Sequence, residues 1–451
     1  MSAARGEFSS RFGFLMAASG SAVGLGNIWG FPTNTASNGG AAFLFTYLIL
    51  VFLLAYPALM AELIIGRHGH SNAVTALQGL SRGRATYLLG TTVGFVGIVT
   101  VSLILSFYVI VSGWMMAYLI DPLARLAGLN SLAGWLTGDG LVRDSLFVLL
   151  FMGLTIYVIS AGVKEGIEKW ASRLMPSLIV ILILLILYVV TLPGASEGLR
   201  AYLVPDFGVV ANPHLIINAL GQAFFSLSLG VGTMLIYGSY VNKRENLAQL
   251  GSLVALLDVG IAFLAGLLIL PAMYVAQNNG VAIYDAAGGL IAGPGLILSV
   301  LPALFNSMGP IGLLVALAFF LLMTIASLTS SISMLEVPVA YAVENHGVER
   351  KKATVAIGAI IAVICLIIVA NFSVLFDLTV TVTTEWSQPL GGLFFCVFVA
   401  WIWNRNGLLR EISQGYPDVE QSLFWKIWPF YVKFICPVAI LMVYVQLLGF
   451  L

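Results

Sequence analysis

The chain is 451 residues long, 60% hydrophobic and 9% charged, with 20 basic and 20 acidic residues. That composition excludes an ordinary soluble globular domain, and many apolar runs reach spanning length. The expected class is an all-α polytopic membrane protein, with the lipid bilayer as a partner and no nucleic acid. Residues 1–10 are polar and the first apolar run is followed by another span, which does not read as a cleavable signal peptide. Cys365, Cys396 and Cys436 all lie in apolar runs and read as buried packing residues, with neither disulfide nor metal spacing.

Eleven spans are predicted, at about 11–35, 41–66, 87–120, 144–161, 167–192, 214–240, 247–275, 308–343, 353–371, 377–403 and 425–449. Basic residues gather in alternate connections, among them Arg82, Arg84, Lys243, Arg244, Arg350, Lys351 and Lys352, with only Arg125, Arg143 and Arg200 in the others. The positive-inside rule then places the N-terminus in the cytoplasm of a multi-pass protein of the cell's inner (plasma) membrane.

Span 1 carries the stretch Gly20-Ser21-Ala22-Val23-Gly24-Leu25-Gly26-Asn27-Ile28-Trp29-Gly30-Phe31-Pro32. Glycine is a poor helix former, and an amide in hydrocarbon needs partners. A break at Ala22 leaves two half-helices, each crossing roughly half of a ~30 Å hydrocarbon core, so it falls near the midplane. Unwound backbone at that depth survives only where it lines a protein cavity. Its freed carbonyls suit a cation, and the N–H groups opening the second half suit an anion. The competing reading is a helix kinked by small residues at a packing face.

Span 2 places Glu62 in apolar surroundings, a functional candidate by default. Ile104 and Tyr108 lie one turn apart on one face of span 3. Gly166 and Pro176 bracket the inner end of span 5, with Glu168, Lys169, Ser172 and Arg173 between them, polar enough to stay wet if the segment unwinds. The plainer alternative is a proline-kinked helix start. Span 6 repeats the logic of span 1: Gly230-Val231-Gly232, after Phe225, Ser226 and Ser228, matches Gly24-Leu25-Gly26. Two broken spans five apart mark an inverted repeat of five-helix units, here about 11–192 and 214–403, within a single transporter domain, with 425–449 as an extra span. Span 7 holds Asp258 in an apolar run, and span 8 holds Ala326-Ser327-Leu328-Thr329-Ser330-Ser331, whose hydroxyls either back-bond to their own helix or ligate.

These runs together resemble the neurotransmitter:sodium symporters over most of the chain. The loop Gly66-Arg67-His68-Gly69 and the turn-rich Gly293-Pro294-Gly295-Leu296 before span 8 are similar to motifs of that family. The resemblance implies two sodium ions. One would take the Ala22 carbonyl, Asn27, Ser226 and Asp258, where the family usually has Asn, together with the substrate carboxylate. The other would take carbonyls of Gly20, Val23 and Ala326 and hydroxyls of Thr329 and Ser330. It also implies a substrate carboxylate at the N–H groups of Leu25 and Gly26 and the hydroxyl of Tyr108. The side-chain pocket would be Ile104, Tyr108, Phe225, Ser228, Val231, Ser330 and Met334. Gly24 stands where monoamine-carrying members have Asp, so the substrate should bring its own carboxylate. Val231 stands where a leucine-selective member has Phe, which leaves room for aromatic as well as aliphatic side chains. Glu62 would bond the unwound backbone of span 6, and Arg5 would pair with Glu344 to close the cytoplasmic route. Chloride-dependent members hold the anion near positions matching Tyr47, Gln222 and Ser226. Asp258 supplies a fixed charge there, so no chloride requirement is expected. Trp29-Gly30-Phe31-Pro32 lacks the arginine usual before Phe, so Glu385 loses the cation that would face it at the outer gate.

The resulting expectation is a sodium-coupled symporter importing hydrophobic, aliphatic and aromatic L-amino acids by alternating access, and not an enzyme. The alternatives are a proton-coupled amino-acid transporter with the same repeat, against which the doubled oxygen sites weigh, and a non-transporting amino-acid receptor, for which no appended domain speaks.

Overall fold

The computed structural model of the chain describes residues 6–208, 210, 212–284, 290–291 and 295–448. The described residues are almost entirely helical. Eight helices among them are long and apolar enough to cross a membrane, and two bent pairs pass the same test. Span 1 is such a pair, Arg11–Ala22 and Gly26–Ser37, bent by 55°. Spans 2 to 5 are Ala41–Gly69, Arg84–Leu126, Leu141–Ser160 and Val163–Val189. Span 6 is a second broken unit, Pro213–Ser226 and Thr233–Gly238. Spans 7 to 9 are Leu247–Asn278, Pro310–His346 and Arg350–Ala370. Span 10 is Phe372–Ile402, which turns by 104° into the polar helix Arg405–Ser413, and span 11 is Leu423–Leu447. These are the eleven segments that hydropathy predicts.

Local chemistry sets the ends. Side chains of Ser10, Asn72, Asn212, Asn246, Asn404 and Ser422 cap helix starts by accepting backbone N–H groups. Pro213 and Pro310 occupy first-turn positions, where a missing N–H costs nothing. Span 8 packs along span 3 and against spans 1, 4, 5 and 9, and its stretch from Leu322 to Ala340 is buried almost without interruption. Span 5 by contrast turns Val180, Ile183, Leu184 and Leu187 outward, as does span 4 with Leu149, Leu150 and Tyr157. An apolar belt of this kind suits lipid and makes the protein an integral membrane protein.

Trp425 and Trp428 are buried, and the Trp428 indole donates to the Pro57 carbonyl (3.0 Å), tying span 11 to span 2. His68 is exposed, with Nδ1 3.2 Å from Glu411 Oε2 and its ring 4.4 Å from that of Trp403. Residues 163–168 at the start of span 5 form one wide helical turn that runs directly into Lys169–Val189, so the Gly166–Pro176 segment is helical in this state. In this helical state Glu168 is buried. It accepts from Ser9 N (2.7 Å), Ser9 Oγ (2.7 Å) and Ser10 Oγ (3.0 Å), which fastens span 5 to the first residues of span 1. A carboxylate so fully paired loses little by leaving water. Gly166 also has a packing duty, because a Cβ there would overlap the Val158 carbonyl. Arg5, Gly293 and Pro294 lie outside the described residues. Glu344 accepts from the backbone N–H (2.7 Å) and side-chain amide (2.9 Å) of Asn72.

Candidate substrate and ion site

Helix 1 ends at Ala22, and Val23 leaves it in an extended conformation before a wide turn over Gly26–Gly30 begins the second half. The backbone is thus open at Val23 and Gly24, just after the expected Ala22. In span 6 the break runs through Ser228 (φ 52°), Gly230 (φ 85°) and Gly232 (φ 82°). Two of these left-handed residues are glycines, which reach that region without strain. Ser228 is the exception, and its hydroxyl donates to the Ser21 carbonyl (3.0 Å), so one break holds the other in place.

The breaks are pinned from outside as well. The Gly230 N–H donates to Glu62 Oε1 (2.6 Å), the role expected of that acid. A Cβ at Gly230 would overlap the Gln388 carbonyl, and one at Gly391 would overlap the Gly230 carbonyl, so spans 6 and 10 touch backbone to backbone. Glu62→Ala leaves a buried N–H without its acceptor, a loss of about 1–3 kcal/mol. Thermal unfolding of the purified variant should therefore shift downward, and an unchanged midpoint would show that Glu62 does not support the break.

Two oxygen clusters flank the breaks. In the first, Asp258 is fully buried; Oδ1 accepts from Asn27 Nδ2 (2.7 Å) and Oδ2 from Ser226 Oγ (2.7 Å). The Tyr47 hydroxyl joins through Ser226 (3.2 Å), and Gln222 bridges Asn34 (2.8 Å) and the Gly26 carbonyl (3.1 Å). Asn27 turns its amide nitrogen toward Asp258, while its oxygen accepts from Gly24 N (3.3 Å). In the second cluster Ser330 Oγ lies 3.2 Å from the carbonyl oxygens of both Gly20 and Val23. Thr329 Oγ1 donates to the Ala326 carbonyl (3.0 Å) within its own helix, so back-bonding describes Thr329 here whereas Ser330 reaches across. Gly20 sits so close to span 8 that a Cβ there would come 3.0 Å from Thr329 Cβ. All five residues expected around the second ion are thereby brought together.

Between the clusters lies a cavity of about 30 Å³. Its wall includes Ala22, Gly24, Gly26, Ile104, Tyr108, Phe225, Ser228, Val231, Ser330 and Met334, all expected from the sequence. Leu25 and Ser226 are not on that wall; Leu25 N donates to the Tyr108 hydroxyl (3.1 Å), and Ser226 belongs to the first cluster. Val101, Thr233 and Gln388 complete it and escaped the sequence reading. A larger cavity, about 710 Å³, opens beyond Phe225 and Gln388, which line both spaces, and its wall includes Gly30 and the exposed Glu385.

The model of the Sodium:neurotransmitter symporter family matches residues 5–139 and 128–449. An uncharacterized sodium-dependent transporter of Bacillus subtilis, YhdH, is 34% identical, over 99% of this chain and 98% of its own. A sodium- and chloride-dependent taurine transporter of Bos taurus is 29% identical, over 76% of this chain and 61% of its own. The crystal structure of MhsT in complex with L-phenylalanine superposes with a TM-score of 0.83 at 37% identity, covering 98% of this chain and 99% of that one.

Proposed function

This chain belongs to the sodium:neurotransmitter symporter family, and from that premise we propose that it imports hydrophobic L-amino acids, aliphatic and aromatic, together with two sodium ions. It is a sodium-dependent transporter of the membrane and not an enzyme. The observation that carries the substrate reading is the cavity between the two helix breaks. Its side-chain wall is apolar at Ile104, Val231 and Met334, while Gly24, Tyr108 and Ser330 form a polar end. A neighbour that binds L-phenylalanine supports the same class.

The ion chemistry follows from the donors. Sodium is a hard cation that takes several oxygens, and both clusters consist of carbonyl, hydroxyl, amide and carboxylate groups. Asn27 presents its oxygen instead of its nitrogen by turning its amide over. A carboxylate beside the first cluster and a cation within it stabilise each other in a low-dielectric site, so each raises the affinity of the other. The second ion would join span 1 to span 8 through Gly20, Val23 and Ser330. Its departure toward the cytoplasm, where the N-terminus would lie, frees those spans to move.

Release would proceed through the start of span 5, where Gly166 through Pro176 unwinds. Pro176 sits inside an otherwise continuous helix and denies it one hydrogen bond. Pro176→Ala should slow uptake roughly tenfold while leaving equilibrium affinity within about twofold. Full uptake by this variant would exclude unwinding as the release step. Gly166→Ala is the poorer probe, because its methyl would strike the Val158 carbonyl whether or not the helix opens.

The defining experiment is uptake of labelled tryptophan and leucine into proteoliposomes. Accumulation is expected with an inward sodium gradient and not with potassium in its place. Sodium-independent accumulation, or a driving force from protons alone, would overturn the proposal.

A further inference from the structure

Every polar side chain on the wall of the small cavity except one is engaged, among the described residues. Ser228 Oγ donates to the Ser21 carbonyl, Thr233 Oγ1 to the Ser228 carbonyl (3.0 Å), and Ser330 Oγ to carbonyls of span 1. The Tyr108 hydroxyl accepts from Leu25 N. Gln388 is the exception. Its side chain is 5% exposed, and its Oε1 is buried without a hydrogen-bond partner.

Its position is fixed. Gln388 opens the helix that continues span 10 after the wide turn over Thr381–Ser387, with Pro389 next in sequence. The backbone contact of its carbonyl with Gly230 leaves the peptide nowhere to shift. Gln388 and Phe225 line both cavities.

We propose that Gln388 determines side-chain specificity, its carboxamide oxygen accepting a hydrogen bond from an indole N–H or phenol O–H of the carried amino acid. This rests on the reading of the cavity as the amino-acid site. A buried carbonyl without a donor is costly, and native proteins seldom keep one without a use. An apolar side chain entering the cavity leaves the buried Gln388 oxygen unpaired. A side chain with a donor at its far end replaces what water would have given. Tryptophan and tyrosine thus gain over isosteres that lack the donor, by the worth of one neutral hydrogen bond, roughly fivefold to tenfold in affinity. A site that pairs a buried polar group rejects the analogue lacking the partner more strongly than apolar contacts alone would.

The test uses the whole protein in nanodiscs with sodium and two ligand pairs. One pair is tryptophan against 3-benzothienylalanine, in which sulfur replaces the indole N–H; the other is tyrosine against phenylalanine. Wild-type protein should prefer the donor-bearing member of each pair by roughly fivefold to tenfold. In Gln388→Met the preference should fall to about one. Gln388→Leu serves the same comparison if the methionine variant does not fold. Equal affinity within each pair in wild-type protein, or a preference kept in the variants, overturns the inference. Wild-type protein that binds none of the four ligands removes the amino-acid reading itself, and the inference with it.

Discussion

Gly24→Asp is expected to abolish amino-acid binding. A Cβ built on Gly24 would lie 2.5 Å from both Ser330 Oγ and the Tyr108 hydroxyl, so no side chain enters without displacing one of them. The added carboxylate would then face the substrate carboxylate at close range. At about 4 Å and an effective dielectric near 20, two like charges repel by about 4 kcal/mol, roughly a thousandfold in affinity. Gly24→Ala brings the steric part alone and should cost less, which separates the two causes. Equilibrium binding of labelled leucine in sodium is the measurement, and wild-type affinity in the aspartate variant would remove the site from the helix break. The resemblance to monoamine-carrying members, which have Asp at this position, implies instead that such a variant admits decarboxylated amines. The crowding by Tyr108 and Ser330 makes loss without gain the expected result.

The second large effect concerns Asp258. Its carboxylate lies within hydrogen-bond reach of Asn27 and Ser226 and is completely buried. A fixed charge in that place does for a neighbouring cation what an added anion would otherwise do. Uptake by wild-type protein should stay within about twofold when chloride is replaced by gluconate. Asp258→Asn keeps the shape and removes the charge, and its uptake should depend on chloride by at least about tenfold. The control is sodium affinity at high chloride, which shows whether the cluster survives. Wild-type uptake that stops in gluconate would sink the idea.

How much of this could be read from residues alone depends on contrast with the surroundings. Asn27, Asp258 and Glu62 stand out because a polar group in an apolar run demands a partner, and the structure supplies one in each case. The glycine pairs of spans 1 and 6 are legible because helices seldom tolerate them. Tyr108 and Ile104 are legible from helical spacing. Gln388 is not, since it follows Thr384, Glu385 and Ser387 and reads as one more polar residue of an outer end. Only the crossing of spans 6 and 10 carries it inward. Glu168 misleads in the same way. It lies beside Lys164 and Lys169, which suggest a wet helix end, yet it is buried under Ser9 and Ser10. Glu336, in an apolar run of span 8, escaped the sequence reading and is buried between Arg350 and the Tyr240 hydroxyl. Periodicity locates a residue on its own helix and says nothing about which partner will cover it.

The backbone contact between Gly230 and Gly391 bears on how such a protein diversifies. Both positions are closed to any larger residue, since each would drive a methyl into a carbonyl of the other span. The neighbours on the cavity wall carry no such restriction: Ile104, Val231, Met334 and Gln388 meet the cavity with side chains. Heritable change is thereby channelled. Exchanging the lining one residue at a time changes what the cavity can take, while a larger residue at Gly230 or Gly391 breaks the crossing on which the cavity is built.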